Sequence, residues 1–400
     1  MNKKFPDIKE TKKYENVISR LSALYDRHDD IRSPFARDYT RILHCRAYRR
    51  LKHKTQVFYN IANDHVCTRI EHVNHVESVS YTIANDLGLN TELTRAIAIA
   101  HDLGHAPFGH EGENILKKIT KRFSDKDEYF WHEKNGLNFV DNIELLQNEK
   151  GEYSNLNLTY GVRDGIISHC GEIDENGIRP RDEFIDLTKI KKANEYQPYT
   201  WEACVVKISD KIAYLGRDIE DANRLGWLSK EDFDDLRGIA SKHGIKNVIN
   251  TTSIIHEFIT DLCLSSSPEK GLCLSDENYR LMNEIKKYNY EKIYSNKRFK
   301  YYHKYAQLII LSIYDLLSSL YNGKDTITDI SKKISVYPKL MNGFYKWLIV
   351  YSTDREKNYK NKKIYDLSDE KQYCRSIIDY ISGMSDKYII SVFDELIRFE

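Results

Sequence analysis

The sequence predicts a mainly α-helical fold, from its low content of helix breakers and its apolar periodicity. Gly (18) and Pro (7) together make only 25 of 400 residues, about half the usual share. A β-sandwich, a collagen-like repeat or a Gly-rich nucleotide fold would need more of both. Few breakers over so long a chain favour helix. Apolar residues also recur at helical spacing: Val76, Val79, Ile83 and Leu87; Leu93, Ile97 and Ala100; Cys204, Ile208, Ile212, Leu215 and Ile219; Leu308, Leu311, Leu316 and Leu320. At roughly 150 residues per domain, the length allows two or three domains or one elaborated domain.

In chain order, Met1–Glu10 is charged and lacks the apolar core of a signal peptide. Residues 1–30 read as an N-terminal segment and 31–264 as a catalytic core. Within the core, Gly88 suits a helix C-cap and Asn90-Thr91-Glu92 a helix restart. Ser265-Ser-Ser-Pro-Glu-Lys-Gly271 is the clearest loop. It opens a helical region, 265–400, expected to pack on the core. In that region Lys286–Lys304 alternates Lys and Arg with Tyr and Phe, a pattern that suits phosphate contact plus base stacking. The plainer reading, and the favoured one, is a solvated face whose tyrosines cover the edge of the core.

Composition excludes several classes. Lys+Arg (61) against Asp+Glu (60) leaves a net charge of +1, so the chain is neither a polycation nor an acidic solvating protein. Hydrophobic residues at 41% and charged residues at 30% give an ordinary globular balance. No run reaches the ~18 apolar residues of a membrane span. The seven cysteines are scattered without a CxxC pair and read as reduced thiols. A cytoplasmic protein is expected.

The chemistry concentrates in His101-Asp-Leu-Gly-His105-Ala-Pro-Phe-Gly-His110-Glu-Gly-Glu113, directly after an apolar helical stretch. Three His and three carboxylates in thirteen residues, broken by Gly and Pro, would make a poor core. Burying them is costly unless they pair or bind a metal. Adjacent His101 and Asp102 can share one ion, and an N/O ligand set suits Mg, Mn, Fe or Zn. Spacing alone leaves open whether His72 or His75 joins them, and does not single out Asp210 among the acids. It does put Asp210, Tyr214 and Asp218 on one helical stripe.

Taken together, these segments resemble the HD-superfamily deoxynucleoside triphosphate triphosphohydrolases, the dGTPase-like family. The H…HD…D pattern is matched by His72, His101-Asp102 and Asp210. Arg32-Ser-Pro-Phe-Ala-Arg-Asp38, with Arg41-Ile-Leu-His44 and Arg49–Phe58, is similar to the N-terminal signature. His101–Glu113 is similar to the central motif and Ile377–Tyr388 to a C-terminal block. The matches run from about residue 32 to 390.

The resemblance implies an α-helical HD core that splits a dNTP, with dGTP preferred, into deoxynucleoside and inorganic triphosphate. It implies a divalent metal, Mn²⁺ or Mg²⁺ with Fe²⁺ as a third candidate, on His72, His101, Asp102 and Asp210. His75 becomes a structural neighbour. His110 and Glu113 match the proposed catalytic dyad, with His105 facing the same pocket. Phe130-Trp-His132 matches a block that sets a His by the phosphates. Arg69 and Lys211 are implied as phosphate contacts, although many relatives carry an acid where Lys211 stands. Gln56 and Asp218 are implied to hold the 3′-hydroxyl, and Tyr214 to close off the ribose 2′-position. His169 matches a further block and is read as structural. Many relatives are homo-oligomers, tetramers or hexamers, and use basic surfaces for allosteric nucleotides or single-stranded DNA. The alternatives are another HD phosphatase or phosphodiesterase, and a nucleotide- or single-strand-binding HD protein.

Overall fold

The architecture was read from a computed structural model that describes residues 5–23, 30–59, 63–124, 128–170, 176–245, 250–352 and 355–398. The ends of the N-terminal segment, residues 1–4 and 24–29, lie outside the described residues. The molecule is mainly α-helical. The described strands form one two-stranded antiparallel pair, Leu145–Gln147 with Tyr153–Asn155.

Two long helices and a short one between them set the frame. The helix Arg69–Leu87 starts at Thr68, whose N–H donates to the Glu71 carboxylate at 2.7 Å, and ends at Gly88 with φ 77°. Asn90 caps the next helix, Thr91–Ala100, by accepting from the Leu93 N–H. The cap and restart expected at Gly88 and Asn90 are both present. Thr91–Ala100 is buried from Leu93 to Ala100 except at Arg95. It packs against Arg69–Leu87, Pro34–His44, Tyr160–Ser168 and the long helix Trp201–Arg224. Burial on several sides explains its near-continuous apolar run, since no face is left for solvent.

Apolar residues gather in two clusters. One spans Ile8 to Phe393 and includes Ile97, Leu116, Ile166, Ile309, Phe344 and Ile377. The other holds Val79, Ile208, Ile212, Phe258, Leu272, Leu281 and Phe299. The loop at 265–271 therefore joins two segments of the same cluster, Phe258 and Leu262 before it and Leu272 and Leu281 after it.

The helix Lys297–Ser318 exists, but Leu308 is 55% exposed and Leu311, Leu316 and Leu320 are half-buried. Its core face is Ala306, Ile309, Ile310, Ile313 and Leu317. A stretch with this many apolar residues supports two phasings, and only the neighbours Gly109–Thr120, Glu370–Ser382 and Asp386–Ile397 choose between them. All seven cysteines are free thiols. Among the described residues, no helix is long and apolar enough to cross a membrane.

Candidate metal centre

Three helices deliver four ligand-type side chains to one point. His72 sits in the first turn of Arg69–Leu87, His101-Asp102 follow the end of Thr91–Ala100, and Asp210 projects from the middle of Trp201–Arg224. His72 Nε2 is 2.9 Å from Asp210 Oδ1 and 4.0 Å from Asp102 Oδ2. His101 Nε2 is 3.5 Å from Asp102 Oδ1 and 4.0 Å from Asp210 Oδ1. Ligand atoms of His72, His101 and Asp102 lie within 4.8 Å of one another.

The donor set fits a divalent ion. His101 is fully buried, and its Nδ1–H donates to the Ala98 carbonyl at 2.6 Å. That bond fixes the tautomer and turns a bare Nε2 inward, the arrangement expected of a metal-binding imidazole. His101 Nε2 has no hydrogen-bond partner among the described residues, a cost that a metal would remove. Burial works to raise both carboxyls, yet the surrounding positive groups win. The His72 hydrogen bond and charge hold Asp210 at about 2, and His101, His105 and Arg69 hold Asp102 well below the usual range. Both stay ionised and able to ligate. Burial opposes protonation of His72, but its hydrogen bond to Asp210 raises it overall.

A second group lies against the first. His105 is buried, with Nε2 3.0 Å from Asp102 Oδ1, and its ring stacks on His132 at 3.9 Å. Gly104 is what lets His132 come so near: a Cβ there would lie 2.0 Å from the His132 carbonyl oxygen. Glu113 Oε2 is 3.0 Å from His132 Nδ1 and 3.6 Å from His110 Nδ1. His110 and Glu113 thus share a helical turn as expected, but the His110 side chain is 68% exposed and His132 is the nearer partner. Burial would lower His132, but Glu133 and Glu113 push it up to about 10. Burial also opposes ionisation of Glu113, which His132 and His110 nevertheless keep well below the usual range. His105 goes the other way: burial, with Arg69 and His132 close by, holds it well below 6.5 and neutral.

Of the remaining expected residues, Arg69 touches the centre directly. Arg69 is buried, donating from Nη1 to Asp102 Oδ2 at 2.7 Å and from Nε to the Thr55 carbonyl at 3.3 Å. Gln56 Oε1 is buried with no hydrogen-bond partner among the described residues. Tyr214 is half-buried against the second apolar cluster, and Lys211 is 7% exposed. Asp218 is buried and accepts from the Tyr294 hydroxyl, and burial lifts its carboxyl to about 7. His75 takes no part in the cluster around His101; burial lowers it to about 4.

Three further residues, not among the expected site residues, lie against this candidate site. His169, taken as structural, has its ring 5.1 Å from His101 and 5.5 Å from His132. Its ligand atom groups with those of Asp102 and His132 within 4.8 Å. It follows the end of Tyr160–Ser168, which packs on the helix that ends at His101, a tertiary contact with no sequence signal. Glu133, 1% exposed and 3.4 Å from His132, is raised by burial; only its place beside His132 could have pointed to it. Tyr294 lies in the basic and aromatic stretch and had no signal of its own.

With this geometry, comparison with known proteins is direct. The HD domain model matches residues 69–215, which hold all four ligand-type residues. The fold and the centre therefore define an HD-domain protein. A deoxyguanosinetriphosphate triphosphohydrolase-like protein of Caldanaerobacter subterraneus subsp. tengcongensis is 32% identical over 381 residues, covering 94% of this chain and 89% of the relative. Proteins of the same description from Rickettsia felis (31% over 385 residues, 91% and 92% covered) and Pelagibacter ubique (30% over 407, 94% and 95%) are similarly related. The chain belongs to the deoxyguanosinetriphosphate triphosphohydrolase-like family. Family and centre together support a metal-dependent phosphohydrolase.

Proposed function

We propose that this chain hydrolyses a deoxynucleoside triphosphate, with dGTP as the expected substrate, to deoxynucleoside and inorganic triphosphate. The observation that carries the proposal is the bare, buried Nε2 of His101 facing His72, Asp102 and Asp210. The printed description of the relatives supports the substrate class. A divalent ion held by these four residues would neutralise phosphate oxygens and lower the pKa of a water.

The chain's own groups suit the rest of the reaction. Arg69, steadied by Asp102 and Thr55, offers its guanidinium to a phosphate. His132, protonated at neutral pH, offers positive charge and a proton to developing negative charge. His105, neutral at the same pH, and His110, oriented by Glu113, are the candidate bases. Gln56 Oε1 is an unused acceptor for a sugar hydroxyl, and the Asp218–Tyr294 pair together with Tyr214 would face the deoxyribose.

The test is a panel of four dNTPs, singly and in pairs, with Mn²⁺, Mg²⁺ or Fe²⁺, resolving products by ion exchange. Nucleoside and triphosphate should form in equal amounts and cease with chelator. Release of pyrophosphate or monophosphate instead would sink the proposed reaction.

A further inference from the structure

One carboxylate joins two segments of the site that are far apart in sequence. Asp386, the first residue of the helix Asp386–Ile397, is 7% exposed. Its Oδ1 accepts from the Phe108 N–H at 2.9 Å; its Oδ2 accepts from the Thr55 N–H at 3.0 Å and from the Thr55 hydroxyl. Three donors therefore converge on a single buried side chain. Hydrogen bonds to an ionised acceptor are about twice as strong as neutral ones.

Each arm ends on a functional element. Phe108 has φ 66°, a left-handed conformation that a bulky residue keeps only when its surroundings hold it. The next residue, Gly109, begins the helix that carries His110 and Glu113. On the other arm, Thr55 precedes Gln56, and its carbonyl accepts from Arg69 Nε. The same C-terminal segment braces the turn again. Lys54 Nζ donates to the His105 carbonyl and, at 3.0 Å, to that of Ser382, while Asn135 Nδ2 donates to Gly104 O at 2.7 Å and Ser382 Oγ at 3.2 Å. Tyr59 and Tyr302, stacked at 3.8 Å, wall off the neighbourhood of Gly109.

We infer that Asp386 is a positioning residue for hydrolysis: its carboxylate locks the Thr55–Gln56 segment and Arg69 to the turn that launches His110 and Glu113. The kinetic part rests on the proposed function; the clamp itself does not.

Asp386→Asn is the direct test, because an amide NH₂ cannot accept and one arm must be lost. With whichever dNTP the wild type hydrolyses, kcat should fall about tenfold or more, with KM moving less. Hydrogen–deuterium exchange should accelerate in peptides covering 104–110 and 53–58. Ser385→Ala removes the helix cap, where Ser385 Oγ accepts from the Tyr388 N–H, but keeps the carboxylate. It should lower Tm while leaving kcat within twofold. Equal kcat losses in the two variants, or kcat within twofold in Asp386→Asn, overturn the inference. Should Asp386→Asn not fold, Thr55→Val removes the hydroxyl contact and is judged by the same readouts, with a smaller loss expected. If the wild type hydrolyses no dNTP, the proposed function falls. Exchange then decides the clamp, and unchanged protection of both peptides overturns it.

Discussion

Residues 101–113 and 286–304 are both dense in chemistry-bearing side chains, yet the fold treats them oppositely. In the first, the polar groups turn inward: His101, Asp102 and His105 are at most 3% exposed and face partners from other helices. In the second, the aromatics turn inward and the cations outward. Phe299 packs between Phe58, Tyr59 and Trp227, and Tyr302 stacks on Tyr59, while Lys297, Lys300 and Lys304 are exposed. Tyr290 and Tyr301 alone among its tyrosines stay largely exposed, at 66% and 76%. Density of functional residue types is therefore weak evidence by itself. The decisive property is whether the ionisable groups are withdrawn from water, because burial makes them bind a partner or a metal.

The largest effect should come from breaking the first region. Asp102→Asn removes the charge of a candidate ligand and the partner of Arg69 and His105; hydrolysis should fall by at least ~10³-fold, and calorimetry should show weaker Mn²⁺ binding. In the second region the vulnerable residue is apolar. Phe299→Ala should cost about 3 kcal/mol in denaturant unfolding, and an unchanged midpoint would show that its packing is dispensable. Within the first region, His132→Gln should reduce kcat by ~10²-fold and His110→Gln by less, since Glu113 lies nearer His132. The reverse order would return the leading role to the exposed histidine.

A pH effect comes next. Glu202, in the first turn of the helix that bears Asp210, accepts from the Asn90 N–H, and burial raises it to about 7. The folded state keeps a proton that the unfolded chain releases from about pH 4.5 upward. The associated stability is present at low pH and lost as pH rises through about 7. Glu202→Gln should therefore raise Tm at pH 8 and give no gain below pH ~4.5; a gap independent of pH would contradict this. The smallest effect is expected on the outer face of the second region. Reversing Lys297, Lys300 and Lys304 to Glu should leave hydrolysis within about twofold. Loss of salt-dependent single-stranded DNA binding on the same change would instead reveal a nucleic-acid surface.

Much of the site was legible because its residues are local. His101, Asp102, His105, His110 and Glu113 lie in one segment; the choice of His72 over His75, and of Asp210 among the acids, came from family resemblance, and the fold sets those two side chains 2.9 Å apart. The nearness of His169 to the centre was not legible, because a histidine at a helix end has the same sequence appearance whether it faces a core or a centre. Which residues of Lys297–Ser318 face the core was not legible, because an apolar-rich helix permits two phasings.

Sequence alone determined the helical character, the caps at Gly88 and Asn90, and the dense His/Asp/Glu segment 101–113, since these follow from propensity, local hydrogen bonding and side-chain chemistry. Tertiary structure alone decided that Glu113 pairs more closely with His132 than with His110, that Tyr294 reaches Asp218, and that Asp386 grips Phe108 and Thr55. Those contacts join residues separated by long stretches of chain, and no local preference encodes which distant donor a buried carboxylate will meet.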